Sequence, residues 1–289
     1  EGVSVARFCK LMGLARSSFY AAKKITPAQS RDAEIAQKIA QIQREHNYTI
    51  GRRRMGALLM KYYGLRLGES QIQRIMSSFA LTAVTRQVRK AKPQAGKATN
   101  EELPANLLNR QFSADRPYQR MVTDVTYIPY FEEGQWYWGY LCLVQDLYDR
   151  SIVAWNFQKK QDVNLALGTL YILRQKNLAP DAMLHSDRGS IYTAERFRRL
   201  EQQFGLTHSY SRTANCHDNA TMECFNGTFK VETLYNTHVA LDHPSFSEQM
   251  ALIKKYIEYY NTKRPCSIIG NVPPVDYREQ YYRCQADLK

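Results

Sequence analysis

The stretch Cys216 to Lys230, CHDNATMECFNGTFK, reads as one short helix that sets an acid, two amides and a lysine among residues of core type. At about 100° per residue, Asn219, Glu223, Asn226 and Lys230 share one face, while Met222, Phe225 and Phe229 form a separate stripe. The Met/Phe stripe is a core contact. The polar face, taken alone, reads equally well as a solvated surface. Two more acids narrow the choice. Asp124 sits in the middle of VTDVTYI, a strand pattern that disfavours aspartate, whose side chain competes for backbone hydrogen bonds and packs poorly on a pleated surface. Asp187 lies in LHSDRGS, after a short apolar strand and before Gly189, where an open α/β sheet presents groups to a ligand; alone it reads first as a turn aspartate. An acid from a strand, one from a strand end and one from a helix can converge on a single point. Carboxylate oxygens select hard divalent cations such as Mg²⁺. Two such ions about 3.5 to 4 Å apart could activate the attacking oxygen and stabilise the leaving oxygen of a phosphodiester displacement, with no covalent intermediate. Lys230, two turns beyond Glu223, would then meet the nucleic acid next to the scissile bond.

The elements that must position these groups follow from the hydrophobic pattern. Residues 119 onward alternate as strands, in MVTDVTYIPY, QWYWGYLCLVQD and SIVAWNF, with an EEG turn between the first two. A helix from about Asp162 to Lys176, a strand AMLH, a helix TAERFRRLEQQFG, a strand THSYS and the helix containing Glu223 complete the order β-β-β-α-β-α-β-α. Upstream the pattern is helical throughout. Residues 4 to 24 read as a helix-turn-helix broken at Gly13, and Ile35, Ile39 and Ile42 repeat at helical spacing ahead of two more helices around Gly64 and Gly68. The Pro-, Ala- and Asn-rich stretch between has no period and reads as a linker. The predicted organisation is a helix-turn-helix-like segment (1–26), a helical domain (27–90), a linker (91–118), an α/β catalytic core (119–237) and a C-terminal helical extension (238–289).

Charge divides along the same boundary. Residues 1–118 hold 21 Lys and Arg against 8 Asp and Glu, the whole net charge of +13, whereas residues 119–289 hold 19 of each. A polyanion partner for the first third is implied, nucleic acid ahead of membrane; a solvated basic surface is the plainer alternative. Arg52, Arg53, Arg54, Arg74, Arg86, Arg89 and Lys90 are the candidate phosphate contacts of the helical domain. The six cysteines are scattered, with no Cys-x-x-Cys and no zinc spacing, and read as reduced thiols. With no long apolar run and no leader pattern, a cytoplasmic, nucleoid-associated protein is expected rather than a membrane one. The start at Glu1 suggests missing upstream sequence or one part of a fused product. Asp146, ending the second strand, reads as structural, and His185 and His217 as hydrogen-bonded scaffold beside the acids.

The sequence resembles the integrase-core transposases of bacterial insertion sequences, of the type whose two overlapping reading frames are fused by frameshifting. Asp187 and Glu223 are separated by 35 residues, the spacing that family shares with retroviral integrases, and Lys230 falls at its basic position. The further matches are ANLLNRQFSADRPYQRMVTDVTYI, LHSDRGSIY, NCHDNATMECFNGTFKVE, YIEYYNTKRP and PPVDYRE. The departures are Ile50-Gly51-Arg52-Arg53-Arg54 for a common Tyr-Gly-Tyr-Arg-Arg, Cys266 for a frequent His, and Met121 for a usual Trp; none touches the three acids. The resemblance implies an RNase H-like catalytic core behind an N-terminal helical DNA-binding region. It also implies metal binding by Asp124, Asp187 and Glu223, with two Mg²⁺ ions for which Mn²⁺ substitutes. The activity implied is cleavage at the element's ends followed by attack of the freed 3′-hydroxyl on a second strand, through a circular intermediate, by a homo-oligomer on paired duplex ends and target DNA. DNA contacts would come from Lys230, Asn219 and Asn226 and from the basic residues of the helical domain. The rival reading is a catalytically silent DNA-binding regulator that keeps the fold.

Overall fold

A computed structural model describes residues 4–23, 27–84, 105–212 and 216–287. The chain forms two compact units, residues 1–83 and 84–289.

In the first unit, α1 (Val5–Leu11) opens on Ser4, whose side chain accepts from the Arg7 amide, and α2 (Arg16–Lys23) follows after Gly13. Phe8 and Phe19 meet edge to face across the pair. Helices α3 (Pro27–Glu45), α4 (Arg52–Tyr63) and α5 (Glu69–Ser78) bury a common core of Ile35, Ile39, Ile42, Met55, Leu59, Ile72 and Ile75, the apolar stripe that the sequence spacing predicts. Buried Gln43 fixes the connections, since its side-chain amide donates from Nε2 to the carbonyls of Ile50 (3.0 Å) and Leu81 (2.9 Å).

In the second unit the five strands are β1 (Arg120–Glu132), β2 (Gln135–Asp146), β3 (Ile152–Gln158), β4 (Met183–Ser186) and β5 (Thr207–Tyr210), ordered β3-β2-β1-β4-β5 across one sheet. The first three pair antiparallel and β1, β4 and β5 run parallel. The β1–β2 turn needs positive φ at both Glu133 (50°) and Gly134 (78°), which a glycine at the second place makes cheap. Parallel pairing demands crossovers: α6 (Val163–Arg174) links β3 to β4, and α7 (Ser190–Thr193) with α8 (Glu195–Gln203) links β4 to β5. Alternation along β1 feeds two cores. Met121 joins Leu165, Leu170, Phe197 and Tyr210 on the α6–α8 side, while Val122 and Ile128 join Met222, Phe225, Phe229 and Tyr256 beneath α9 (Ala220–Glu232) and α10 (Phe246–Thr262). The C-terminal helix α11 (Pro274–Asp287) packs on α10. This is the RNase H-like core implied by the resemblance, behind a helical N-terminal unit. Among the described residues no helix is long and apolar enough to cross a membrane.

Three local expectations change. The helix expected over 216–230 is a 3₁₀ turn, Cys216–Asn219, followed by α9, with Asn219 off helical geometry (φ −121°, ψ 29°). The helix expected from Thr193 starts at Glu195, behind the separate short α7, because Ala194 is extended (φ −57°, ψ 135°). Of the expected linker 91–118, residues 91–104 lie outside the described residues. From 105 onward the chain packs on the core, with Leu108 buried and its amide donating to Ser209 Oγ at 3.0 Å.

The C-terminal extension is bolted to α9 by a buried ion pair. Glu232 accepts from Arg264 Nε (2.8 Å) and Nη2 (2.7 Å) and from the Tyr256 hydroxyl (3.0 Å). Removing one partner of a buried pair leaves a charge that neither water nor protein solvates well. Arg264→Ala is therefore expected to cost ~3–5 kcal/mol, and Arg264→Lys to recover little of it because the planar fork is lost. Urea unfolding followed by tryptophan fluorescence measures this, since Trp136, Trp138 and Trp155 all lie in the second unit; a loss below ~1 kcal/mol would mean that the pair behaves like an exposed one.

Candidate active site

Asp124 stands in the middle of β1, opposite Leu143 of β2, on the strand face that looks towards α9. Its position against the helix is fixed twice. Asn226 of α9 donates from Nδ2 to Asp124 Oδ2 (2.9 Å), and Asn219, just before α9, donates from Nδ2 to the carbonyl of Thr123 (3.0 Å). These amides are seven residues apart, two helical turns, and Glu223 lies between them on the same face. The opposite stripe, Met222, Phe225 and Phe229, is buried in the core. Packing on one side and two amide bonds on the other thus decide which way Glu223 faces.

Asp187 follows β4, whose His185 is level with Val122 of β1, so two residues further along parallel strands Asp187 comes beside Asp124. Its Oδ1 accepts the Gly189 amide at 2.9 Å, and a Cβ on Gly189 would stand 3.0 Å from that oxygen, so a larger residue would crowd the carboxylate. Beneath it runs a buried chain of bonds: Ser186 Oγ donates to the Asp187 carbonyl (2.6 Å) and meets His208 Nε2 (3.0 Å), and His208 Nδ1 meets Glu201 Oε1 (2.6 Å). Burial pushes Glu201 up to about 9 and His208 down to about 3, so the pair carries no net charge at neutral pH. His185, between the hydroxyls of Ser209 (2.8 Å) and Ser211 (3.0 Å), is pushed down to about 4 by burial and is neutral.

The acids act on one another. Burial, then the charge of Asp187 and, more weakly, of Glu223 push Asp124 up to about 7, against the Val125 amide and Asn226 bonds that favour its ionised form. Burial also raises Asp187. Lys230 is lowered by burial, against the opposing pull of the Asp124 charge. Among the described residues no three His, Cys, Asp or Glu side chains are closed into a metal-binding cluster. The donor set nevertheless fits a hard dication: three carboxylates, no thiol or imidazole, and a burial reinforced by neighbouring negative charge that makes Asp124 reluctant to ionise. Asp124, Asp187 and Glu223 are the residues that could hold it.

The other expected contacts divide. Asn219 and Asn226 are buried, with Nδ2 donating to Thr123 and Asp124; among the described residues the Oδ1 of each is buried without a hydrogen-bond partner. In the first unit Arg52 and Arg53 lie on the surface against Glu69 (3.2 and 3.6 Å). Arg74 grips Asp32 through both terminal nitrogens (2.6 and 3.1 Å) while staying exposed, and Arg54, half-buried, donates to the Thr49 carbonyl (2.7 Å). Arg86, Arg89 and Lys90 lie outside the described residues. Asp146 is fully buried and accepts from the amides of Tyr118 and Tyr148 and from Arg278, beside Asp149, away from the three acids. His217 is exposed. Sequence reasoning missed the Ser186–His208–Glu201 chain and the buried Asp218. Only the polar residues in an otherwise apolar strand pattern, His208 and Ser209, hinted at the first.

A family profile described as "Integrase core domain" matches residues 114–216, a second with the same description matches 204–274, and one described as "HTH-like domain" matches 29–89. The chain is 32% identical over 286 residues to the insertion element IS600 uncharacterized 31 kDa protein of Shigella sonnei, covering 96% of this chain and 100% of the relative. It is 31% identical over 269 residues to the putative transposase InsK for insertion sequence element IS150 of Escherichia coli, covering 92% and 90%. A solved structure of the HTLV-2 integrase catalytic core domain in complex with magnesium superposes with a TM-score of 0.43 at 14% identity, over 57% of this chain and 98% of that one.

The crowding of the acids has a measurable cost. Asp124 is raised from 3.8 to about 7, so in that window the folded chain holds a proton that the unfolded chain has released, and stability falls as pH rises through it. Asp124→Asn keeps an acceptor for Asn226 and removes the charge. In EDTA it is expected to stabilise the chain at pH 7.5 by ~1–3 kcal/mol, a gain that shrinks towards nothing near pH 4. Denaturant titrations at the two pH values decide; a gain independent of pH, or none, would mean the carboxylates do not crowd one another.

Proposed function

The chain belongs to the insertion-sequence transposases built on an integrase core, and from that premise we propose that it cuts and rejoins DNA strands at the ends of its element, using Asp124, Asp187 and Glu223. The observation that supports the reading most is that the charges of Asp187, after a strand end, and Glu223, on a helix, are both felt by the mid-strand Asp124. Phosphodiester displacement needs negative charge balanced on both the attacking and the departing oxygen. Divalent magnesium, with manganese as its substitute, would supply that balance when bound between the three carboxylates.

The chain's own groups do the rest. Asp124 would hold the cation in its ionised form, and Asn226 keeps hold of Oδ2 so that the other carboxylate oxygen is presented in one orientation. The Gly189 amide does the same for Asp187, and the core packing of α9 for Glu223. Lys230 neutralises a phosphate beside the scissile bond. The reaction is two transfers at one site. Water displaces a strand at the element's end and leaves a 3′-hydroxyl, and that hydroxyl then attacks a second phosphodiester, exchanging one bond for another. The helical unit, with its excess of basic residues, recognises the duplex ends, and pairing of two ends calls for more than one copy of the chain. The work is done on DNA in the bacterial cytoplasm.

Asp124→Asn, Asp187→Asn and Glu223→Gln each remove one anionic ligand while keeping shape. Each is expected to bring Mg²⁺-dependent cleavage and joining of an end duplex down to background, with duplex binding retained. Wild-type activity in any one of the three would remove that residue from the site, and an inactive wild-type chain that still binds ends would favour the regulator.

A further inference from the structure

We propose that the hydroxyls of Thr123 and Tyr192 form a buried brace that sets the spacing of Asp187 from Asp124, which makes both of them positioning residues for the metal site. The inference rests on the strand-transfer reading and adds to it two residues on which that reading does not call.

The brace is polar where packing alone asks for no polar group. Tyr192 is buried in the core on the α6–α8 side with Cys142, Leu165, Phe197 and Tyr210, and buried Thr123 reaches that core from β1. Thr123 Oγ1 meets the Tyr192 hydroxyl at 3.1 Å, and Cys142 Sγ is a weak partner of the two at 3.7 and 3.6 Å. Valine and phenylalanine would fill the same space without desolvating two hydroxyls. Replacing both partners of a buried hydrogen bond by apolar groups of the same shape is nearly neutral for stability. Stability therefore does not account for the pair, and its position does.

Each end of the brace leads to an acid. The ladder between β1 and β4 ends at Val122 and His185, short of both Asp124 and Asp187, so sheet pairing alone does not hold the two acids at one distance. The hydroxyl pair continues the connection. Thr123 precedes Asp124, and since alternate residues of a strand face opposite ways, its side chain works from behind the sheet and leaves the carboxylate face open. On the other side the Tyr192 amide donates to the Gly189 carbonyl (3.0 Å) and the Gly189 amide donates to Asp187 Oδ1 (2.9 Å), so the short α7 carries the constraint to the second carboxylate. Tyr192 is itself held, its carbonyl by the Tyr210 hydroxyl (2.8 Å) and its ring edge to face by Phe197. Burial and then Cys142 push the Tyr192 hydroxyl well above its ordinary range, and the charges of Asp124 and Asp187 add to the shift, in keeping with a place between the two acids. Thr123 is the common point, because its carbonyl also accepts Asn219 Nδ2 (3.0 Å) at the start of α9. The residue before Asp124 thus ties down the segments of both other acids, that of Asp187 through its side chain and that of Glu223 through its backbone.

The test uses the full chain without DNA. Mn²⁺ binding is followed by the paramagnetic resonance of the free ion, and the part that Asp187→Asn abolishes belongs to the site. Tyr192→Phe and Thr123→Val are each expected to weaken that binding about tenfold, the scale on which the partners of metal ligands act. The double variant is expected to lose no more than either alone, since both changes remove one interaction. Thr123→Ser, which keeps the hydroxyl, is expected to bind as the parent does. The denaturant midpoint of the double variant is expected to stay at the parental value, which separates lost positioning from lost folding, and Tyr192→Phe alone serves if the double variant is not folded. In EDTA the amides of residues 189–193 are expected to exchange faster in either variant, a readout that needs no metal. Parental Mn²⁺ affinity in a folded variant, parental exchange, or losses that add in the double variant would overturn the brace. A parent chain that binds Mn²⁺ at the acids and does not join strands would count against the proposed reaction and not against the brace.

Discussion

Asp187 and Glu223 repel Asp124 in the middle of the central strand, and much of the second unit is the means of holding the three carboxylates there. The strain is visible in Asp124, which burial and its acidic neighbours push up to about 7. Against it stands the burial of α9. Met222, Phe225 and Phe229 enter the core with Val122 and Ile128, and fully burying such side chains is worth ~1.5–3 kcal/mol each. That sum exceeds the repulsion of partly solvated charges, so apolar packing fixes the helix and the amides of Asn219 and Asn226 set its final rotation. Glu232, at the far end of the same helix, is held by Arg264 and Tyr256, so both ends are anchored.

The polar residues fall into two groups by where their hydrogen bonds end. Asp146, Asp149, Glu201 and Glu232 are buried acids whose partners lie within the fold, and they tie turns, strands and the C-terminal helices together. Asp187, whose carboxyl is crowded enough by protein to be raised, and Glu223 still keep surface in solvent, and Asp124 is half-buried, which leaves their oxygens within reach of a cation and a substrate. Sequence type alone does not separate the groups; burial and partners do. The same holds for arginine. Arg264 is turned inward to Glu232, its side chain 12% exposed, whereas Arg74, Arg110 and Arg212 stay about half in solvent although each is paired with an acid.

Much of this was legible in the sequence where one physical signal dominated. Alternation gave the three antiparallel strands, period-3.6 stripes gave α3 to α6 and α9, and a mid-strand aspartate marked Asp124, because each pattern reflects burial on one face. Helical spacing grouped Asn219 and Asn226 with Glu223 but could not say that a strand lies against them, so their bonds to Thr123 and Asp124 were not legible. The Asp218 cluster was hidden for a similar reason: it joins residues 106, 110, 212 and 218, a contact more than 100 residues long in sequence that no local period announces. Basic composition pointed to phosphate binding in the first unit without telling which arginines fold the domain and which face outward.

The central claim is that Asp124, Asp187 and Glu223 meet at one metal-binding point. Fe²⁺ bound there with ascorbate and peroxide generates hydroxyl radicals that cut the polypeptide next to the ion, and mapping the fragments reads which segments surround it. The account predicts three sets of cuts, around residues 124, 187 and 223, that appear together and are suppressed together by excess Mg²⁺. Cuts at only one of these segments, or cuts scattered along the chain and insensitive to Mg²⁺, would contradict it.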